Sequence, residues 1–126
     1  MKRKKIINLL ALLLALVLLN SGLNKFFNYM PMPKELPEAV IKDGAAMIEI
    51  VWLMPLLACA EILGALLLVF PKTRALGLLV VFPVLVGVLL THIFVAPNGL
   101  AMALTIWAIL ICLIIDEKDK YLPLIR

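Results

Sequence analysis

Four long apolar runs, separated by short segments that carry almost every charge, restrict this chain more than any other feature. They extend from Ile6 to about Phe27, from about Ala46 to Phe70, from about Ala75 to Phe94 and from about Gly99 to Ile115. A bilayer core about 30 Å thick takes about 20 apolar helical residues to cross, and each run comes within a turn of that length or exceeds it. Lipid offers backbone groups no hydrogen-bond partner, so each run is expected to be helical; the alternation of a barrel strand is absent. Composition agrees: 65% of the 126 residues are hydrophobic and 16% charged, against about 45–50% and about 25% in soluble domains. A disordered tail, a secreted disulfide scaffold and an ordinary cytosolic enzyme are excluded. The expected fold is all-α, a polytopic four-helix transmembrane domain over residues 1–126. No soluble domain fits, since the longest connection covers residues 28–45.

The positive-inside rule orients the spans. An even number puts both termini on one side, with Lys2, Arg3, Lys4, Lys5, Lys72, Arg74, Lys118, Lys120 and Arg126. The other side holds Lys25, Lys34 and Lys42. Nine against three places both termini in the cytoplasm of a multi-pass protein of the inner (plasma) membrane. The basic start resembles a signal-peptide n-region, but Leu19-Asn20-Ser21-Gly22 makes a poor cleavage site, and an uncleaved first span is expected. The net charge of +4 is topology and implies no nucleic acid. The cluster Lys2 to Lys5 lies where anionic lipid headgroups would attract it.

Membrane helices associate through small residues that let backbones approach. Ala11 and Ala15 form such a pair in the first span, and Ala58, Glu61 and Ala65 share a face with Gly64 beside it in the second. Gly87 and Thr91 share a face in the third, where Pro83 should bend the helix. Ala101, Thr105, Ala108 and Cys112 form a stripe in the fourth. These faces are expected to pack inward. In the external connection the prolines around Met30-Pro31-Met32-Pro33 predict extended chain. Beyond Pro37 a short amphipathic interfacial helix is expected, ending at Gly44.

An ionisable side chain inside a span is expensive and marks a candidate functional site. Four qualify: Lys25, Glu49, Glu61 and His92. At 1.5 Å per residue, Lys25 lies roughly 3 Å, Glu49 roughly 5 Å and His92 roughly 3–8 Å below the outer edge. Glu61 comes out at roughly 22 Å from the outer start of its helix, where no lysine or arginine matches its depth. It reads either as a neutral carboxyl bonded to a backbone carbonyl, Thr105 or water, or as a proton-exchanging or ligand-anchoring group. Lys25 reads either as snorkelling to the headgroups or as an ion pair with Glu49. Together Asn20, Asn24, Lys25, Glu49, Thr91, His92 and Thr105 can line one outward-opening recess with Glu61 as its floor.

Cys59 and Cys112 lie at similar depth without metal-ligand or redox-pair spacing, and read as small packing residues. Trp52 suits an interfacial anchor, and Trp107 should pack within the bundle. No phosphate loop, nucleophile elbow or metal motif is present, so nothing points to hydrolysis or phosphoryl transfer.

Ser21-Gly22-Leu23-Asn24-Lys25-Phe26 closing the first span, Glu61-Ile62-Leu63-Gly64-Ala65-Leu66-Leu67-Leu68 in the second and Thr91-His92 ending the third resemble the DoxX family of small four-span membrane proteins. The Met-Pro-rich connection and the Pro71-Lys72-Thr73-Arg74 turn fit the same pattern. The resemblance covers nearly the whole chain and carries over to Asn24, Lys25, Glu61 and His92. It implies kinship with subunits of a thiosulfate:quinone oxidoreductase and of membrane redox complexes, or with assembly factors and cargo receptors.

Three functions compete on these grounds. The first is an accessory subunit of a membrane complex, partnered by other membrane proteins or by copies of itself, holding a quinone or lipid headgroup in the recess. A quinone-linked oxidoreductase is the second, and would have to rely on Cys59 and Cys112. The third is a small proton-linked transporter using Glu61, which the nearly apolar cytoplasmic halves of the spans disfavour.

Overall fold

The structure, a computed structural model, describes residues 2–30 and 36–125. The extended reading of residues 31–33 lies outside these residues, as do Lys34 and Arg126 of the charge count. Among the described residues every regular element is a helix, and there is no strand. Helix α1 spans Lys2–Phe27, α2 Glu38–Glu49, α3 Leu53–Val69, α4 Arg74–Phe94, α5 Leu100–Asp116 and α6 Lys118–Tyr121. Among the described residues three segments are long and apolar enough to cross a membrane: α1, α4, and α5 with the 3₁₀ turn Pro97–Gly99 that precedes it. A fourth such unit exists only if α2 and α3, bent by 95° at their junction, are taken together.

That bend corrects the second span, which does not begin at Ala46. Residues 46–49 belong to α2, the chain turns through Ile50–Trp52, and α3 starts at Leu53. Pro55 favours the break at this point. It has no N–H to donate and its ring would clash with the carbonyl of Val51 in a continuous helix, whereas in the first turn of a new helix it costs nothing. At about 26 Å, α3 alone still approaches the thickness of a bilayer core. Gly44 likewise does not end the amphipathic helix, which runs on to Glu49 with no residue fully buried. Pro83, by contrast, leaves α4 a single element from Arg74 to Phe94.

Each long helix buries one narrow stripe. In α1 it is Ala11, Leu14, Ala15, Leu18 and Gly22; in α3 it is Ala58, Glu61, Gly64, Ala65 and Leu68. The outer faces are equally apolar, with Leu13, Leu16, Leu56, Leu66, Phe82 and Ile111 exposed. A helix apolar all round suits lipid rather than water. In α1 and α3 the inward faces are the small-residue faces expected from sequence. In α5 they are not: Ala103, Ile106, Leu110 and Leu113 are buried, while Ala101, Thr105, Ala108 and Cys112 are exposed. Both stripes have helical spacing, and α5 packs through bulky residues. Its Trp107 meets Phe82 edge-on at 5.5 Å and donates from Nε1 to the Leu85 carbonyl at 2.9 Å.

The turn between α3 and α4 is built by its polar residues. Thr73 Oγ1 donates to the Leu67 carbonyl at 2.8 Å and Arg74 Nε to the Leu68 carbonyl at 2.9 Å, satisfying carbonyls that the end of α3 leaves open. Nearby, Tyr121 Oη donates to the Ala75 carbonyl at 2.8 Å and ties α6 to α4. Burial, reinforced by the negative charge of Glu117, pushes the Tyr121 phenol up from 10.0 to about 12. A raised folded-state pKa stabilises fully below the unfolded value and loses that contribution as pH rises through the folded one. The stabilisation from Tyr121 is therefore expected in full below pH 10.0 and lost on the way through about 12. Absorbance titration of a Tyr29→Phe variant isolates this phenol, and Glu117→Gln should lower its midpoint. A midpoint at 10.0 in the Tyr29→Phe variant would contradict the half-buried placement of Tyr121.

Candidate functional site

At the other end of the bundle, α1 and α3 approach closely because residue 22 is glycine. A Cβ there would lie 2.7 Å from Ile62 Cγ1, 3.0 Å from the Ala58 carbonyl and 3.3 Å from Glu61 Cβ. One turn further along α1, Lys25 turns inward. Its Nζ lies 2.6 Å from Glu61 Oε1 and 3.0 Å from Ser21 Oγ, which accepts a second hydrogen bond. The Glu61 side chain is 4% exposed and that of Lys25 19%.

This pairing corrects two expectations. Glu61 does have a cationic partner, and Lys25 pairs with it rather than with Glu49. The depth count failed because α3 begins at Leu53, which puts Glu61 about 12 Å into its helix, within reach of a lysine stem. Glu49 stands exposed on α2, across the bend from α3.

The ion pair is not saturated. Glu61 Oε2 is buried and has no hydrogen-bond partner among the described residues. An ammonium carries three N–H groups, and Lys25 uses two. Two cavities adjoin the pair, and both are lined by Lys25, Glu61, Val84 and Val88. One, of about 430 Å³, extends between α3 and α4 past Pro83, Gly87, Thr91 and His92. The other, of about 370 Å³, extends between α1 and α5 past Asn20, Met30 and Met102. Gly87 has nothing within 4 Å of a would-be Cβ, so on α4 the small residue opens the recess instead of closing a helix contact.

Of the residues expected to line a recess, Asn20, Lys25, Glu61, Thr91 and His92 come to these cavities, and three do not. Thr105 lies in a separate apolar groove between α1 and α5, donating to the Ala101 carbonyl at 2.9 Å. Asn24 holds the turn after α1. Its Oδ1 accepts the Met30 N–H at 2.9 Å, while Asn28 takes the left-handed conformation (φ 50°) that ends the helix. Glu49 is the third. Asn20 is partly engaged in the same turn, accepting from the Tyr29 hydroxyl and donating to Met30 Sδ. Cys59 and Cys112 are free, exposed thiols that line neither cavity, not packing residues.

His92 Nδ1 faces the Val88 carbonyl at 2.8 Å. A carbonyl only accepts, so Nδ1 carries the proton, and in the neutral ring Nε2 is the acceptor. Gly99 makes room for the ring, because a Cβ there would collide with Cδ2 and Nε2. Sequence reading missed Ser21 as a ligand of Lys25, although four-residue spacing puts the two on one helix face. It also missed Gly22 and Gly99 as the positions that admit Glu61 and His92. Among the described residues no three His, Cys, Asp or Glu side chains gather to hold a metal ion.

The recess thus combines apolar walls, an unused ammonium N–H and an unused carboxylate oxygen. Such a site suits a group that both accepts and donates a hydrogen bond while its apolar remainder lies among the helices. Comparison of the chain with protein-family models, curated proteins and solved structures found no match.

Proposed function

We propose that the chain is a DoxX-like accessory subunit of a membrane complex that holds the polar head of a quinone, quinol or lipid beside Lys25 and Glu61. In this reading α2 and α3 form an interfacial helix followed by a span. The bundle then crosses the inner (plasma) membrane four times with both termini cytoplasmic, the orientation that nine cations against three favour. The recess opens to the outer side.

The observation that carries the proposal is the buried Oε2 of Glu61, unpartnered among the described residues, beside two cavities of ligand size. A buried polar atom left without a partner costs about 1–3 kcal/mol, and a donor from a bound head group removes that cost. A quinol hydroxyl donates to Oε2, and a quinone carbonyl accepts from Lys25 Nζ. A lipid hydroxyl does both.

Native mass spectrometry of the protein extracted in mild detergent tests the proposal. One quinone or lipid per chain is expected, retained through purification and lost in Glu61→Gln. Equal retention by the parent and Glu61→Gln would sink the assignment. A protein partner in fixed ratio with no small ligand would leave an assembly role and reduce the ion pair to structural glue.

A further inference from the structure

The opposite end of the bundle holds a second polar cavity, which the proposed function does not use. The start of α1, the turn into α4 and the end of α5 enclose about 440 Å³ lined by Arg3, Lys4, Arg74, Lys120, Asp116 and Glu117. Both carboxylates are already paired. Asp116 accepts from Arg3 at 3.1 Å and Glu117 meets Lys120 at 2.9 Å. Arg74 and Lys4 remain without a carboxylate partner among the described residues.

Arg74 is the telling residue, because it is 3% exposed. A guanidinium keeps its charge at any accessible pH, and a buried charge without a counter-ion is costly. Its Nε and Nη2 reach the Leu68 and Val69 carbonyls. Those bonds occupy part of a five-donor fork and neutralise none of its charge. Arg74 is also the first residue of α4, where the helix dipole adds positive potential. Lys4 stands on the exposed face of α1 at the mouth, and Ile7 makes part of the wall.

We infer that this basin binds a phosphate group, held by the guanidinium of Arg74 and the ammonium of Lys4. A phosphate oxyanion matches the planar fork of arginine bidentately, and lysine adds a point charge. An anionic phospholipid headgroup and free inorganic phosphate share this chemistry. The setting favours the headgroup, since the basin lies at the end of helices whose outer faces, Ile6 and Leu9 among them, are apolar and exposed.

The full chain in detergent is titrated with short-chain phosphatidylglycerol, short-chain phosphatidylcholine and inorganic phosphate, with binding read by calorimetry. Phosphatidylglycerol is expected to bind one per chain, at least about tenfold tighter than phosphatidylcholine, whose phosphate is the same but carries a choline cation that Arg74 and Lys4 repel. Arg74→Gln should abolish the preference. Because Arg74 also holds the end of α3, Lys4→Gln, at an exposed position, serves as a second variant and should weaken phosphatidylglycerol severalfold. Inorganic phosphate binding with the same dependence on Lys4 would support the site and name the free anion as its source. Equal affinity for the two lipids with no phosphate binding would overturn the inference, as would affinities that Lys4→Gln leaves unchanged.

Discussion

Replacing Lys25 with Met is expected to destabilise the bundle by about 3–5 kcal/mol, the cost of stranding one partner of a desolvated ion pair. Glu61 is 4% exposed on its side chain and already has one oxygen without a partner among the described residues. Loss of the ammonium would leave the second oxygen unpaired as well. Exposed ion pairs contribute about 0–1 kcal/mol, so the size of the effect reports burial directly. Lys25→Met combined with Glu61→Leu should recover most of the loss, because an apolar pair of similar volume is often neutral or stabilising. Reversible unfolding in mixed micelles measures these two variants and the single Glu61→Leu in one cycle. A single-variant loss under about 1 kcal/mol would mean that water reaches the pair. The same double variant should lack the ligand sought beside Glu61, which separates stability from binding.

The second large effect is expected at the crossing of α3 and α4. A Cβ on Gly77 would lie 2.9 Å from Leu67 Cβ and 3.0 Å from both the Gly64 carbonyl oxygen and the Leu68 nitrogen. Two of those three atoms are backbone and cannot rotate away. Gly77→Ala should therefore cost about 1–3 kcal/mol through forced separation of the helices. Gly44→Ala makes the same chemical change in α2 where nothing lies within 4 Å, and should stabilise by about 0.5–1 kcal/mol through helix propensity alone. Thermal unfolding in detergent compares the two, and opposite signs are the expected result. Equal shifts would show that the crossing is looser than the structure has it.

Much of the architecture was legible in residue order alone. Apolar runs of bilayer length dictate helices, because a backbone in lipid must satisfy its own hydrogen bonds. The small residues of α1 and α3 marked the faces that meet. Pro55 was legible too, since its missing N–H and its ring disfavour one helix through Val51, but Pro83 carries the same signal inside α4, which continues past it, so residue order did not say which proline marks a break. The α5 stripe was not legible. Two stripes of helical spacing run along that helix, and only the partners it packs against select the bulky one.

The candidate site divides the same way. Sequence alone determined that Lys25, Glu61 and His92 are ionisable groups inside apolar helices, each needing a partner, because charge in lipid is expensive wherever it sits. Tertiary structure decided which partner each has. Lys25 reaches Glu61 because Gly22 lets α1 approach α3 and because the bend at Trp52 resets the depth of everything after it. Depth counted along one helix cannot register against another until the two are docked. Docking likewise left Glu49 on the far side of a bend, Thr105 on an outer face, and one oxygen of Glu61 without a partner.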